Sequence, residues 1–246
     1  MKKITLIKQL KKNFKKILKK LGTYLLFVFL IFMLISTLQV VILKWIDPLT
    51  SAVILQRQIS LIFSDKKTIS FDWYNYDEIN SKFALAVIAA EDQNFPFHSG
   101  FDLEQIEKAI KERKERGRLR GASTITQQVA KNLFLWEDQS FIRKGFEAYY
   151  AILIEAFWGK KRILEIYMNI AETGNNIFGI GNAARIYFHK TPIKLTSEES
   201  ALIASILPNP VKFSVNKPSV YTRKRQQWIL NQMGLLGGTS YTKKLQ

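Results

Sequence analysis

From Tyr24 to Leu43 the chain carries no charged residue, and only Ser36, Thr37 and Gln39 are clearly polar among its aliphatics and phenylalanines. At about 1.5 Å rise per residue, a helix of this length reaches about 30 Å, the thickness of the hydrocarbon layer of a bilayer. A helix apolar on every side suits lipid better than a protein core. No small-residue cleavage site of the kind that ends a secretory leader stands near Val40–Leu49. Residues 1–44 hold ten lysines and no acid; nine of the lysines precede the apolar run and only Lys44 follows it closely. The asymmetry predicts a cytoplasmic basic segment over 1–22, a single transmembrane helix over 23–44, and everything after Trp45 on the outer side. The lysines also read as a patch lying on anionic phospholipid head groups.

The formal net charge is +17, of which +7 belongs to residues 45–246. So basic a chain suits nucleic acid, an anionic membrane or a phosphorylated substrate. The predicted orientation argues against nucleic acid, because the bulk of the chain then faces a compartment without any. The absence of cysteine excludes disulfides and thiolate metal sites but not an oxidising compartment, and two histidines are too few for a histidine-rich metal site. The length allows one sizeable domain with its own core.

Beyond the span, residues 45–74 read as a linker with strand-like pieces at Ala52 to Leu55 and Thr68 to Phe71. Helical periodicity then dominates through a domain over 75–235: Ser81 to Ala90, the stretch holding Leu103, Ile106 and Ile110, Thr124 to Phe134, Phe141 to Trp158, Lys161 to Ile170, Ser197 to Leu207 and Tyr221 to Leu235. Thr124 and Gln127 are spaced as a capping box. Gly237-Gly238 opens a tail over 236–246. The predicted class is mainly α.

Four constellations bear chemistry. Glu91-Asp92 ends an apolar helix beside Phe95, Phe97 and His98, where desolvation would raise a carboxyl pKa toward the range of a general base; a solvated acid pair accounts for the spacing as well. Ser123, Thr124, Gln127, Gln128 and Lys131 open a helix, where free N–H groups, hydroxyls, amides and an ammonium suit a diphosphate. Arg143, Lys144 and Glu147 share one helix, as an ion pair or as a carboxylate held among cations that grip a leaving group. Glu165 and Asn169 lie in an apolar helix, where a buried acid paired with a cation is the simplest reading. The basic run from Lys108 to Arg120 is either a solvated face or a contact with head groups.

Taken in order, the segments Glu91-Asp92-x-x-Phe95-x-x-His98-x-Gly100-x-Asp102, Gly121-x-Ser123-Thr124-Ile125-Thr126-Gln127-Gln128-x-x-Lys131-Asn132, Arg143-Lys144-x-x-Glu147 and Arg162-Ile163-Leu164-Glu165-x-Tyr167-x-Asn169 resemble the motifs of the peptidoglycan glycosyltransferase family, the transglycosylase module of bifunctional penicillin-binding proteins. Gly179-Ile180 to Tyr187-Phe188, Leu207-Pro208-Asn209-Pro210 and Arg225 fit as well. The resemblance covers roughly 75–235. With no transpeptidase module following, it implies a monofunctional member without transpeptidase activity. The surroundings of Trp136 and Leu207-Pro208-Asn209-Pro210 look more like the Gram-negative form. It further implies a lysozyme-like, mainly α-helical domain, and a single-pass protein of the cell inner membrane with a periplasmic catalytic domain.

By position the resemblance makes Glu91 the catalytic base and Glu147 the second essential carboxylate. Ser123, Thr124, Gln127, Gln128, Lys131, Arg143 and Lys144 would line the donor diphosphate site, with Asp92, His98, Glu165 and Asn169 in support. The implied partners are lipid II, the growing glycan strand, membrane phospholipid and proteins of wall synthesis or division. No cofactor is required; a divalent Mg or Mn ion would only assist. Two positions depart from the family pattern: Gln139, where many relatives carry arginine, and Ser99. A glycan-cleaving enzyme and a non-catalytic wall-binding scaffold are the competing readings. The first would not need the Lys131–Arg143 cation group; the second would bind glycan and tolerate substitution of Glu91 and Glu147 together.

Overall fold

The computed structural model describes residues 2–63, 69–117, 121–138 and 140–245, with side chains from Asn13 onward except that of Arg116. Thr68, Arg118, Arg120 and Gln139 lie outside the described residues. The chain forms two units, Met1–Ile46 and Asp47–Gln246. The first is α1 (Lys2–Ile42), a continuous helix with a segment, Asn13–Ile42, long and apolar enough to cross a membrane. This single helix fits a single-pass membrane protein.

The second unit is helical apart from one small hairpin. Its elements are α2 (Ala52–Ile62), α3 (Ser81–Glu91), α4 (Leu103–Arg116), α5 (Ile125–Phe134), α6 (Phe141–Phe157), α7 (Lys160–Ile170), β1 (Glu172–Gly174), β2 (Ile177–Phe178), α8 (Gly179–Phe188), α9 (Ser197–Ile206) and α10 (Val220–Leu235). Every residue of α3 from Phe83 to Ala89 is buried, and so is every residue of α9 from Ser200 to Ile206. Helices without a polar face must be enclosed on all sides. α3 accordingly packs against α9, α10 and the C-terminal segment, while α5 packs against α2, α6 and α7.

Two expectations about the flanks are corrected. Ala52 to Leu55 is the first turn of a helix, not a strand: Ser51 accepts a hydrogen bond from Ile54 N at 3.2 Å and caps α2. The cap and the packing of Val53 and Ile54 against Phe178, Ile69 and Phe71 outweigh local β propensity. Ile69 to Phe71 is extended but joins no sheet. Side chains replace the missing strand partner there, with Ile69 N donating to Gln58 Oε1 at 2.8 Å and Asn182 Nδ2 donating to Ser70 O at 2.8 Å. At the other end, Gly238–Lys244 forms a 3-10 helix in which Tyr241 is buried.

Asn169 is fully buried and holds both backbone groups of Tyr74: its Oδ1 accepts from Tyr74 N at 2.9 Å and its Nδ2 donates to Tyr74 O at 2.8 Å. The chain then passes through the hairpin and back across the same residue. At Gly179, where φ is +76°, a Cβ would sit 2.4 Å from Asn169 O. Gly179→Ala is therefore expected to cost on the order of 2–4 kcal/mol of stability through positive-φ strain and backbone displacement. Thermal unfolding reads the loss, and an unchanged melting temperature would contradict the close approach.

Candidate active site

The last residue of α3 is Glu91, and the turn that follows it is built by Asp92. Asp92 is 7% exposed and accepts two kinds of donor: Ile125 N at 3.0 Å, the free amide at the start of α5, and His98 Nε2 at 2.9 Å. A carboxylate at a helix N-terminus satisfies an orphan donor and meets the positive end of the dipole. Asp92 thus joins the end of α3 to the start of α5 and turns the neighbouring Glu91 the other way. Thr124 and Gln127 complete that start as the expected capping box, with Thr124 N donating to Gln127 Oε1 at 3.0 Å and Gln127 N to Thr124 Oγ1 at 3.2 Å. Thr124 Oγ1 also donates to Gly100 O at 2.6 Å. Thr124 Oγ1 and Gln127 Oε1 are thus taken up in holding the motif together.

Glu91 Oε2 accepts from Gln128 Nε2 at 3.0 Å, and Gln128 Oε1 accepts in turn from Tyr167 Oη at 3.1 Å. Glu91 Oε1 is buried and makes no hydrogen bond; Arg225 Nη2 stands 3.6 Å from it. Burial pushes the Glu91 carboxyl above its ordinary range, and the neighbouring Asp92 charge adds to this. The Gln128 amide, Arg225 and Lys131 oppose the shift without cancelling it. The negative end of the α3 dipole acts in the raising sense too. The Tyr167 hydroxyl, buried and near both acids, is held well above its usual pKa and stays a donor.

One turn beyond Gln128, Lys131 faces α6. Burial lowers its ammonium pKa, with Arg143 and Lys144 adding to the effect and Glu147 opposing it. Its side chain has no hydrogen bond or ion pair among the described residues. Arg143 and Lys144, by contrast, converge on Glu147, which is 3% exposed: Arg143 Nη1 lies 2.7 Å from Glu147 Oε2, and Lys144 Nζ bonds Glu147 Oε1. Lys144 Nζ also reaches Ser123 Oγ at 3.4 Å. Gln128, Lys131, Arg143 and Tyr167 line a cavity of about 540 Å³. Glu91 and Ser123 line a smaller one of about 170 Å³. Glu91, whose carboxylate bonds Gln128, stands where the two cavities approach each other.

Of the expected site residues, Glu91, Ser123, Gln128, Lys131, Arg143, Lys144 and Glu147 form one connected group. Asp92 and His98 stand behind Glu91. Glu165 is the buried acid paired with a cation, bonded by Arg162 and by Tyr76 N at 2.7 Å; with Asn169 it anchors the extended segment rather than facing a cavity. Among the described residues no three His, Asp or Glu side chains stand close enough to hold a metal ion. Three lining residues escaped sequence reasoning. Arg57 of α2 reaches the large cavity and pairs with Glu137 at 3.0 Å. Glu172 lines it too, its carboxyl raised by burial. Tyr167 was quoted only as part of a motif. The strand-like appearance of α2 hid Arg57, and nothing in the local sequence marks Glu172 as facing Lys131.

The chain as a whole is similar to known proteins. A family model described as transglycosylase covers residues 58–234. A biosynthetic peptidoglycan transglycosylase of Mannheimia succiniciproducens is 53% identical over 177 residues, 72% of each chain. Proteins of the same name from Escherichia coli (strain 55989 / EAEC) and Shigella boydii are 52% identical over 200 residues, 80% of this chain and 82% of theirs. With the family model spanning most of its length and about half of the aligned residues shared with these relatives, the chain belongs to the transglycosylase family.

Proposed function

We propose that this glycosyltransferase of peptidoglycan synthesis polymerises lipid II into β-1,4-linked glycan strands by a single inverting displacement. The growing strand is the donor, its anomeric carbon α-linked to a lipid diphosphate, and lipid II is the acceptor. Glu91 Oε1 takes the proton of the acceptor 4-hydroxyl while that oxygen attacks the anomeric carbon. The bond from carbon to diphosphate breaks, and the diphosphate leaves with its electron pair. Lys131 and Arg143, with Lys144 and Ser123 at the rim, stabilise the departing charge as preorganised electrostatic partners. Glu147 acts through Arg143 and Lys144, fixing their heads and offsetting their mutual repulsion before the diphosphate arrives. No resident cofactor is needed; a Mg or Mn ion, where it assists, would be carried by the diphosphate. The lysine-rich start lies in the cytoplasm and the catalytic unit on the outer face of the inner membrane, so that both lipids reach the site from the bilayer.

The observation that carries this reading is a desolvated carboxylate with one unbonded oxygen, linked by a single amide to a cation-lined cavity. A chain-cleaving enzyme also uses paired acids, but has no need of the Lys131 and Arg143 group. Purified protein is expected to convert lipid II into polymer on a gel and to leave finished peptidoglycan intact; the reverse result would overturn the proposal. The pH dependence follows from Glu91. A base must be ionised, and its pKa is raised in the fold. The kcat profile is therefore expected to fall on the acid side at a pH above the ordinary carboxylate range. An acid limb at or below that range would count against Glu91 as the base.

A further inference from the structure

The family match ends at residue 234, and the short helix Gly238–Lys244 lies beyond it. This segment is nonetheless bound to the far side of the turn that carries Glu91. Tyr241 is 6% exposed, and its hydroxyl donates to Gln93 O at 2.7 Å. Its ring meets Phe97 edge-on, with centroids 6.2 Å apart. Lys244 Nζ caps both rings, 4.4 Å from the Tyr241 centroid and 5.2 Å from that of Phe97. Leu245 is buried behind them.

The last turn of any α-helix leaves carbonyls without intrahelical partners. Here one is met by a donor from the C-terminal third of the chain and one by a local amide that this third holds in turn. Ala90 O accepts from Arg225 Nη2 at 3.3 Å, and Ala89 O accepts from Gln93 Nε2 at 3.1 Å. The Gln93 amide is in turn held by Gln232 Oε1 at 3.2 Å, and its backbone carbonyl by Tyr241. Burial and the nearby Asp92 charge push the Tyr241 hydroxyl up, so it remains a donor through the neutral range.

We infer that the C-terminal short helix is a positioning element for Glu91, with Tyr241 as the residue that fixes the turn behind it. The inference rests on the assignment of Glu91 as the base. Gln93, whose carbonyl Tyr241 holds, is two positions beyond Glu91, so a loosened turn moves the carboxylate relative to both cavities. Displacements near 1 Å at a reacting group cost up to about 10²-fold. A loosened turn also admits water to Glu91, which weakens the desolvation that raises its pKa.

The test uses the full-length protein in lipid II polymerisation assays, comparing Tyr241→Phe, Tyr241→Ala, a chain ending at Leu236, and the exposed Lys243→Ala as control. Tyr241→Phe keeps the ring and loses one hydrogen bond; kcat is expected to fall about three- to tenfold with KM and melting temperature near those of the parent. Tyr241→Ala and the truncation are expected to lose about 10²-fold or more in kcat. In all three the acid limb of the kcat profile moves to lower pH, whereas a purely structural role would scale its height without moving it. Parental kcat in both Tyr241 variants overturns the inference, as does a loss that follows melting temperature with the limb unmoved. Glu91→Gln is assayed alongside. Substantial turnover by that variant removes the assignment of the base, while an inactive Glu91→Gln beside a fully active Tyr241→Ala removes only the role of the tail.

Discussion

Glu91→Gln is expected to lower lipid II polymerisation about 10²- to 10⁴-fold in kcat, the range that a positioned general base supplies. The same change should leave the protein at least as stable as the parent at neutral pH. Burial raises the folded-state pKa of Glu91 above its unfolded value of 4.5. Between the two values the folded chain binds more protons than the unfolded chain, so stability falls as pH rises through that window. Above it, the ionised carboxylate carries a desolvation penalty that no partner removes, since Oε1 makes no hydrogen bond and Arg225 stays at 3.6 Å. Gln fills the same volume without the charge. A loss of activity accompanied by a raised or unchanged melting temperature is the signature of a group kept for chemistry at the expense of stability. Activity within threefold of the parent, or a drop that tracks unfolding, would refute the role.

Much of this arrangement was legible in the sequence, and the reasons differ from residue to residue. The long apolar helix was legible because a segment fit to cross hydrocarbon has a length and a composition that a single sequence displays directly. The capping box at Thr124 and Gln127 was visible because a cap is a local device, written in residues three apart. The pairing of Arg143 with Glu147 followed from helical geometry alone. What the sequence could not convey was the part that depends on distant segments meeting. Ala52 to Leu55 looks β-like in isolation and becomes helical under a serine cap and the packing of Val53 and Ile54. Glu172 stands on a two-residue-paired hairpin, and only the fold brings it to the cavity that holds Lys131. The capping box also illustrates a limit of motif reading. Thr124 and Gln127 belong to the motif that supplies Ser123, Gln128 and Lys131, yet their side chains are bonded to the helix start and to Gly100. Residues that build a site and residues that face a ligand carry the same mark in a single sequence.

Lys131→Met should produce the second large effect, a loss of about 10²- to 10³-fold in kcat/KM, the size seen when one preorganised donor to developing charge is removed. Compared with Arg143 and Lys144, Lys131 differs in kind. Arg143 and Lys144 are already paired with Glu147, and Lys144 has a side chain 46% exposed. Water and the shared carboxylate therefore offset much of what either would gain from a diphosphate, and Lys144→Ala is expected to cost only about tenfold. Lys131 has been taken out of water without a hydrogen bond or ion pair of its own among the described residues, and burial lowers its pKa although the Glu147 charge opposes the shift. An arriving diphosphate relieves that penalty and restores the ordinary ammonium, so the binding energy lost elsewhere in folding is recovered at the leaving group. The linkage has a definite sign. The folded pKa lies below the unfolded one, so between them the unfolded chain binds more protons and stability rises with pH; below both, the charged Lys131 is a standing cost. Methionine, close in length and uncharged, removes the cost together with the function. The expected result is a less active protein whose melting temperature is equal to or above that of the parent, with Lys131→Arg recovering part of the rate. A Lys131→Met protein that polymerises lipid II normally, or one that loses stability and activity in parallel, would mean that the departing diphosphate is held elsewhere.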